Sequence, residues 1–310
     1  MWRTDLNGII NIYKEKGYTS HDVVAKLRGI LKLRRIGHTG TLDPDAEGVL
    51  PICVGKATSL CEYLTEKEKE YEADIHLGII TDTLDLSGEI LESNECNCSY
   101  DEIVDAVNSF QGEIMQIPPM YSAIKVNGKR LYSLARNGQE IERKPRKVNI
   151  KSIEIIEYIE DSKIVRIRAT VSKGTYIRSL CDDIGRKLGC GACMGKLVRT
   201  KSGVYVIEEA IKLVDVENAV RNDVIAKSIA TIESVFGMPA VRTLAEFDKR
   251  VKNGNYLEEN MVQSKTVQKD DAYIITGDDD VCVYLSDNSF AAVYRFDRER
   301  EVYKPLKMFI

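Results

Sequence analysis

The sequence predicts an α+β fold: a mixed, largely antiparallel sheet flanked by helices, with a small β domain at the C-terminal end. Three observations carry this. Strand-like and helix-like stretches follow one another up to about residue 235 without the regular crossover units of a doubly wound parallel sheet. Segment 163–171 alternates Ile164 or Val165, Ile167, Ala169 and Val171 with Arg166, Arg168 and Thr170, which marks a strand with one face in a core. Beyond Gly237-Met238-Pro239 only short strand patterns remain, at 273–276, 281–285 and 290–296, separated by Gly-Asp-Asp-Asp and Ser-Asp-Asn turns. The expected domains are therefore 1–236 and 237–310.

In chain order, Ile9 to Tyr13 reads as a short strand. A turn then leads into a helix over 21–33, with Thr19 or Ser20 as N-cap and Val23, Val24, Leu27, Ile30 and Leu31 as its apolar stripe. Residues 34–51 hold three glycines and two prolines, which forbids a regular helix. Leu42, Val49, Leu50 and Ile52 still draw that segment against a core, so it reads as a rigid, partly buried loop. Asp43 sits in its middle, and Pro44 biases Asp43 toward an extended backbone that aims its side chain. An Asp capping a turn is the plain reading. With His38, Thr39, Thr41 and two arginines nearby, a candidate nucleophile or base is the other.

Residues 56–64 look helical, and Tyr71, Ala73, Ile75 and Leu77 share one face of a strand over 71–80. Thr81 to Gly88 is a polar turn whose Asp82 and Asp85 read as turn chemistry. Ser99 and Glu102 form a capping box that opens a helix to Phe110. Pro118-Pro119 then breaks the chain, and Asn127-Gly128 signals a tight hairpin inside an excursion over 120–146. Strands return at 148–158 and 163–171, a helix runs to Leu188, and 214–235 reads as helical.

With 310 residues, 44% hydrophobic and 30% charged, the chain is an ordinary globular one with room for a large core and a second domain. No apolar run reaches membrane-spanning length and no secretory signal opens the chain, so a cytoplasmic protein with no membrane partner is expected. The net charge of −4 taken alone argues against a nucleic-acid partner. Its distribution argues the other way. Residues 121–151 carry nine Lys or Arg, including Lys129, Arg130 and Arg136, against Glu140 and Glu142. Arg28, Lys32, Arg34 and Arg35 form a second basic cluster beside Asp43. Two such clusters flanking a candidate site suit a polyanion. Among the eight cysteines, Cys96-x-Cys98 and Cys190-x-x-Cys193 lack the paired hairpins of a zinc ribbon and read as reduced, mostly buried thiols.

The stretch GHTGTLDPDAEGVLPICVGKAT resembles the catalytic motif of the TruB-type tRNA pseudouridine synthases. The resemblance continues in YEADIHLGIITDTLDLSG (71–88), PPMYSAIKVNGKRLYSLARNG (118–138) and KGTYIRSLCDDIGRKLGCGACM (173–194). It implies a pseudouridine synthase-like core with a PUA-like C-terminal domain, and an RNA-clamping insertion where the basic excursion lies. The chain departs from the family pattern at Glu15, Cys193 and Val198.

The implied reaction cuts the N1–C1′ bond of a uridine at position 55 in the T-loop of tRNA, turns the base and rejoins it through C5. It needs no cofactor and no metal. By resemblance Asp43, Tyr71 and Arg178 are catalytic, with Arg178 holding Asp43 ionised through a two-pronged contact. Tyr71 and Tyr176 would stack on the flipped base, Leu197 would close the pocket, and His38 would fill the gap left in the RNA stack. A monomer with no required protein partner is expected. On the residues alone, Arg178 pairing with Asp182 at i, i+4 is the alternative. Two other functions stay open: an RNA-binding scaffold, and a phosphohydrolase using Asp43 and Asp45.

Overall fold

The structure, a computed structural model, describes residues 6–122, 124–126, 128–135, 138–139, 141–236, 238–265 and 280–310. Its main sheet is built from β1 (Gly8–Lys14), β2 (Glu47–Val54), β3 (Lys69–Leu77), β4 (Gly112–Gln116), β5 (Arg146–Ile159), β6 (Ile164–Val171) and β7 (Ala192–Ser202). The spatial order is β1-β2-β7-β3-β6-β5-β4. Every neighbouring pair along this path is antiparallel except β2 with β7, where Val198 faces Glu47 and Arg199 faces Gly48. The mixed, largely antiparallel sheet expected from the sequence is thus the one observed.

Four helices cover one face: α1 (Ser20–Leu31), α2 (Tyr100–Asn108), α3 (Ile177–Leu188) and α4 (Leu213–Arg221). Thr19 and Ser99 cap α1 and α2 through reciprocal bonds with Asp22 and Glu102, which satisfies backbone donors that a helix start leaves free. Val23, Leu27, Ile103, Leu180, Ile184 and Val216 meet Ile75, Val165, Ile167 and Ala169 of the strands in one core. The far side of β3 and β6 carries the alternate residues. There Arg166 pairs with Asp74 and Glu157, and Arg168 with Glu72 and Glu154.

Two readings of the sequence are corrected here. The stretch 34–51 is not one loop: Ile36–His38 and β2 are strands, and only the residues between them are irregular. Seven of the eight residues of β2 are buried because both its faces are covered. Leu50, Ile52 and Val54 enter the helix-side core, whereas Val49 and Cys53 enter a second core on the opposite face. Gly48 is fixed by this packing, since a Cβ there would lie 2.2 Å from the Arg199 carbonyl oxygen. The helix expected over 214–235 ends at Arg221, and short 3-10 turns at Ile225–Ser228 and Glu233–Val235 follow.

Beyond residue 238 a second sheet of six strands forms, mostly antiparallel, with 240–243 and 280–284 paired in parallel. The strand expected at 273–276 lies outside the described residues. This sheet does not stand apart from the first. Met238, Ala240, Cys282, Tyr284, Val293 and Phe309 share the second core with Ile9, Val49, Cys53, Leu60 and Phe236. Within the excursion, Lys125–Val126 pairs with Lys129–Arg130, the hairpin that Asn127-Gly128 signals, and Leu131–Ala135 is a short helix. Among the described residues no helix is long and apolar enough to cross a membrane.

Candidate active site

The Asp43 loop is held from below by a buried lysine. Lys14 Nζ, at the end of β1, donates to the carbonyls of Ala46 (2.5 Å), Pro44 (3.1 Å) and Glu15 (3.3 Å). Gly17 N also donates to Pro44 O, and Leu42 N donates to Ser20 Oγ of α1 (2.9 Å). Leu42 and Ala46 enter the helix-side core. The carboxylate between them is therefore fixed through its backbone on both sides. Burial pulls the Lys14 ammonium down to about 8, against the opposing charge of Asp43.

Arg178, in the first turn of α3, is the centre of the site, with only 7% of its side chain exposed. One arm, Nη2, lies 3.1 Å from Asp43 Oδ2 and donates to the Tyr121 carbonyl at 2.7 Å. The other arm, Nη1, lies 3.3 Å from Asp85 Oδ2 and donates to the Thr83 carbonyl at 3.3 Å. The two-pronged grip on Asp43 alone is thus replaced by a fork split between two carboxylates. The cause is competition: each arm also serves a backbone carbonyl of a neighbouring segment. The alternative pairing is absent too, because Asp182 bonds Arg186 instead (2.9 Å).

Asp85 is the functional neighbour that the sequence conceals. Its Oδ1 accepts from Thr83 Oγ1, Ser87 N and Ser87 Oγ, which is the turn chemistry read from the sequence. Its Oδ2 is left to face Arg178. Asp43 is more open, with 43% of its side chain exposed against 16% for Asp85. Burial nevertheless pushes the Asp43 carboxyl above the usual range. Arg178 opposes that shift and Asp85 adds to it.

The remaining residues named from the sequence fall around this cluster unevenly. Tyr176 caps α3, and its backbone is gripped at both ends by the Gln116 amide (2.8 and 3.1 Å). Burial raises its phenol, within electrostatic reach of Arg178 and Asp43. Leu197 of β7 is buried opposite Ala73 of β3, and Tyr71 lies opposite Arg199, so Tyr71 and Leu197 share one sheet face. Both pack on the core that receives Leu42 and Ala46, though neither makes a polar contact with the Arg178 cluster. His38 is half-buried at the end of its strand, its ring edge-on to His21 at 5.9 Å. Burial lowers its imidazole, and its Nδ1 has no partner among the described residues. Lys129 and Arg130 lie on the excursion's hairpin, and Arg136 is outside the described residues.

Comparison with known proteins bears on this geometry directly. Residues 28–177 match a family model described as TruB family pseudouridylate synthase (N terminal domain), and residues 178–236 match one described as tRNA pseudouridylate synthase B C-terminal domain. A tRNA pseudouridine synthase B of Lachnoclostridium phytofermentans is 50% identical over 98% of this chain and 100% of its own length. The chain belongs to the TruB family. A relative named tRNA pseudouridine synthase B from Staphylococcus saprophyticus is 41% identical over 98% of the chain and 99% of its own. Among solved structures, a chain of a Cbf5-Nop10-Gar1 complex superposes with a TM-score of 0.69 at 29% identity, over 98% of this chain and 85% of that one. A chain of an H/ACA RNP bound to a substrate RNA gives 0.68 at 28% identity, with the same coverage. The expected pseudouridine synthase-like architecture is thus the one shared with TruB relatives and these structures.

Proposed function

We propose that this TruB-family chain isomerises uridine to pseudouridine in tRNA, at position 55 in the T-loop. The observation that carries the reading is the fixed carboxylate: Asp43, its loop gripped by Lys14, beside the buried Arg178. Asp43 is the nucleophile or base of the rearrangement. Arg178 keeps it ionised against burial and sets its direction. Electrons balance without a cofactor: the N1–C1′ bond breaks, C5 takes C1′, and the C5 hydrogen leaves as a proton while N1 gains one.

Tyr71 and Tyr176 offer ring faces for the extruded base, Leu197 gives the pocket an apolar wall, and His38 occupies the space the base leaves in the RNA. Lys129, Arg130 and Arg136 supply affinity for the phosphate backbone. In this reading residues 1–236 carry the chemistry and 237–310 form a PUA-like accessory unit. The protein acts as a monomer in the cytoplasm. The test is release of tritium from T-loop RNA labelled at uridine C5. Asp43→Asn is expected to bind RNA normally and release none, since an amide is neither nucleophile nor base. Substantial release by that variant would sink the assignment, and normal binding without release by the wild type would favour an RNA-binding scaffold.

A further inference from the structure

At the opposite end of α3 from Arg178, three cysteines converge that the reaction does not use. The Sγ atoms of Cys96, Cys98 and Cys190 all lie within 4.8 Å of one another. Two come from the segment leading into α2, and the third from the turn that follows α3. Backbone bonds bring them together, and two thiols add weak ones: Cys98 Sγ donates to the Leu188 carbonyl (3.6 Å) and Cys190 Sγ to that of Gly191 (3.4 Å). Gly78 N donates to the Gly191 carbonyl (2.8 Å), and Asn94 N donates to the Gly78 carbonyl (2.7 Å). Asn94 Nδ2 reaches the Cys190 carbonyl (3.2 Å). Gly78 has φ +84°, and a Cβ there would sit 2.4 Å from the Asn94 oxygen, so only glycine lets the segments close up this far.

Packing accounts fully for Cys96 and Cys190, which are buried, and only in part for Cys98, which lies against the edge of the same core. Cys98 is partly exposed, immediately before the N-cap Ser99, where small polar residues serve as well. We propose that Cys96, Cys98 and Cys190 bind one thiophilic d10 cation, zinc foremost, in a three-sulfur structural site. Tetrahedral Zn–S bonds of about 2.3 Å place sulfurs roughly 3.8 Å apart, so the separations present need close by only about 1 Å. Three soft thiolates select zinc or copper(I) over magnesium or calcium. Cys98 is the partly exposed member, so a water could supply the fourth ligand. The bond balance is simple: three S–H protons leave as three metal–sulfur bonds form, with no change of oxidation state.

Such a site lies past the far end of α3, whose run from Arg178 to Leu188 is about 15 Å at 1.5 Å per residue, and takes no part in the chemistry. Its effect is to tie the C-terminal end of the helix carrying Arg178 to the segment entering α2. The test uses full-length protein purified under reducing conditions without chelator. Metal content is measured by mass spectrometry, and stripped protein is titrated with Co²⁺ and watched for thiolate-to-cobalt charge transfer. The expected result is a single bound zinc, a tetrahedral cobalt spectrum with sulfur charge transfer, and a lower melting temperature after chelation. Cys98→Ser and Cys190→Ser lose the metal, while the same change at Cys61, a partly exposed thiol outside the cluster, keeps it. Absence of sulfur charge transfer in the wild type overturns the proposal, as does undiminished metal in Cys98→Ser or a disulfide among the three found by thiol counting. The wild-type titration decides the matter even where a variant fails to fold.

Discussion

Arg178→Lys keeps the charge at the centre of the site and changes only its shape. The guanidinium reaches Asp43 and the Tyr121 carbonyl with one arm, and Asp85 and the Thr83 carbonyl with the other. A single ammonium cannot stand at both arm positions, so the variant must give up one carboxylate and one carbonyl. If it stays with Asp85, Asp43 keeps only Lys14 nearby, and that ammonium is committed to three backbone carbonyls. If it stays with Asp43, Asp85 loses its cation and the lysine loses the contact that orients it. A charge-assisted hydrogen bond contributes about 1.5–3 kcal/mol. At about 1.4 kcal/mol per factor of ten, turnover should fall roughly 10- to 150-fold. The assay is single-turnover tritium release, run beside a binding measurement on the same RNA. Affinity should stay near wild type, because the basic side chains of the excursion are unchanged. Combining the change with Asp43→Asn should be no slower than Asp43→Asn alone, as expected of residues that act as a unit. Turnover near wild type in Arg178→Lys would show that charge alone suffices and that the fork has no part in aiming Asp43.

Lys14→Met removes the Lys14 donor from the Ala46 carbonyl and leaves Pro44 with only its bond from Gly17 N, and an unpaired buried acceptor costs about 1–3 kcal/mol, so the melting temperature at pH 7 should drop. Lys14 is held near 8 in the fold against 10.5 for an exposed lysine. The unfolded chain therefore binds that proton more tightly, and the penalty is complete below pH 8. It fades as pH rises toward 10.5, so wild-type stability should climb relative to Lys14→Met across that window; parallel pH profiles would contradict this. Replacing Lys129, Arg130 and Arg136 together by Ala should flatten the salt dependence of RNA binding by up to about three units of slope, and an unchanged slope removes the excursion from the RNA face. Ending the chain at 236 bares Val49, Cys53, Leu60 and Phe236 of the second core. The truncated protein should melt well below the full chain or aggregate, and a wild-type melting temperature would show that the two sheets are energetically independent.

Legibility in the sequence followed the physics of each signal. The capping boxes at Thr19 and Ser99, and the alternation in β6, are local patterns and could be read directly. Strand β2 was hidden because alternation disappears when both faces are covered, leaving an apolar run punctuated by Gly48 and Pro51. The sequence marks Asp85 as a turn residue, but only one of its oxygens does that; the other faces a residue far along the chain. Lys14 gave no signal either, since a lysine ending an apolar strand is ordinarily solvated. The cysteine cluster joins a C-x-C to one member of a C-x-x-C, and spacing alone does not announce that pairing.

The Nη2 contact with Tyr121 has a mechanical consequence. Tyr121 stands at the root of the basic excursion, and its carbonyl shares a nitrogen with the Asp43 carboxylate. A guanidinium is planar and stiff, so it cannot follow one partner without turning away from another. Tilt at the excursion's root is converted into misalignment at Asp43, and misalignment of that carboxylate is felt at the root. A mutation that shifts Tyr121 by a fraction of an ångström would slow the reaction without altering the identity of any catalytic residue.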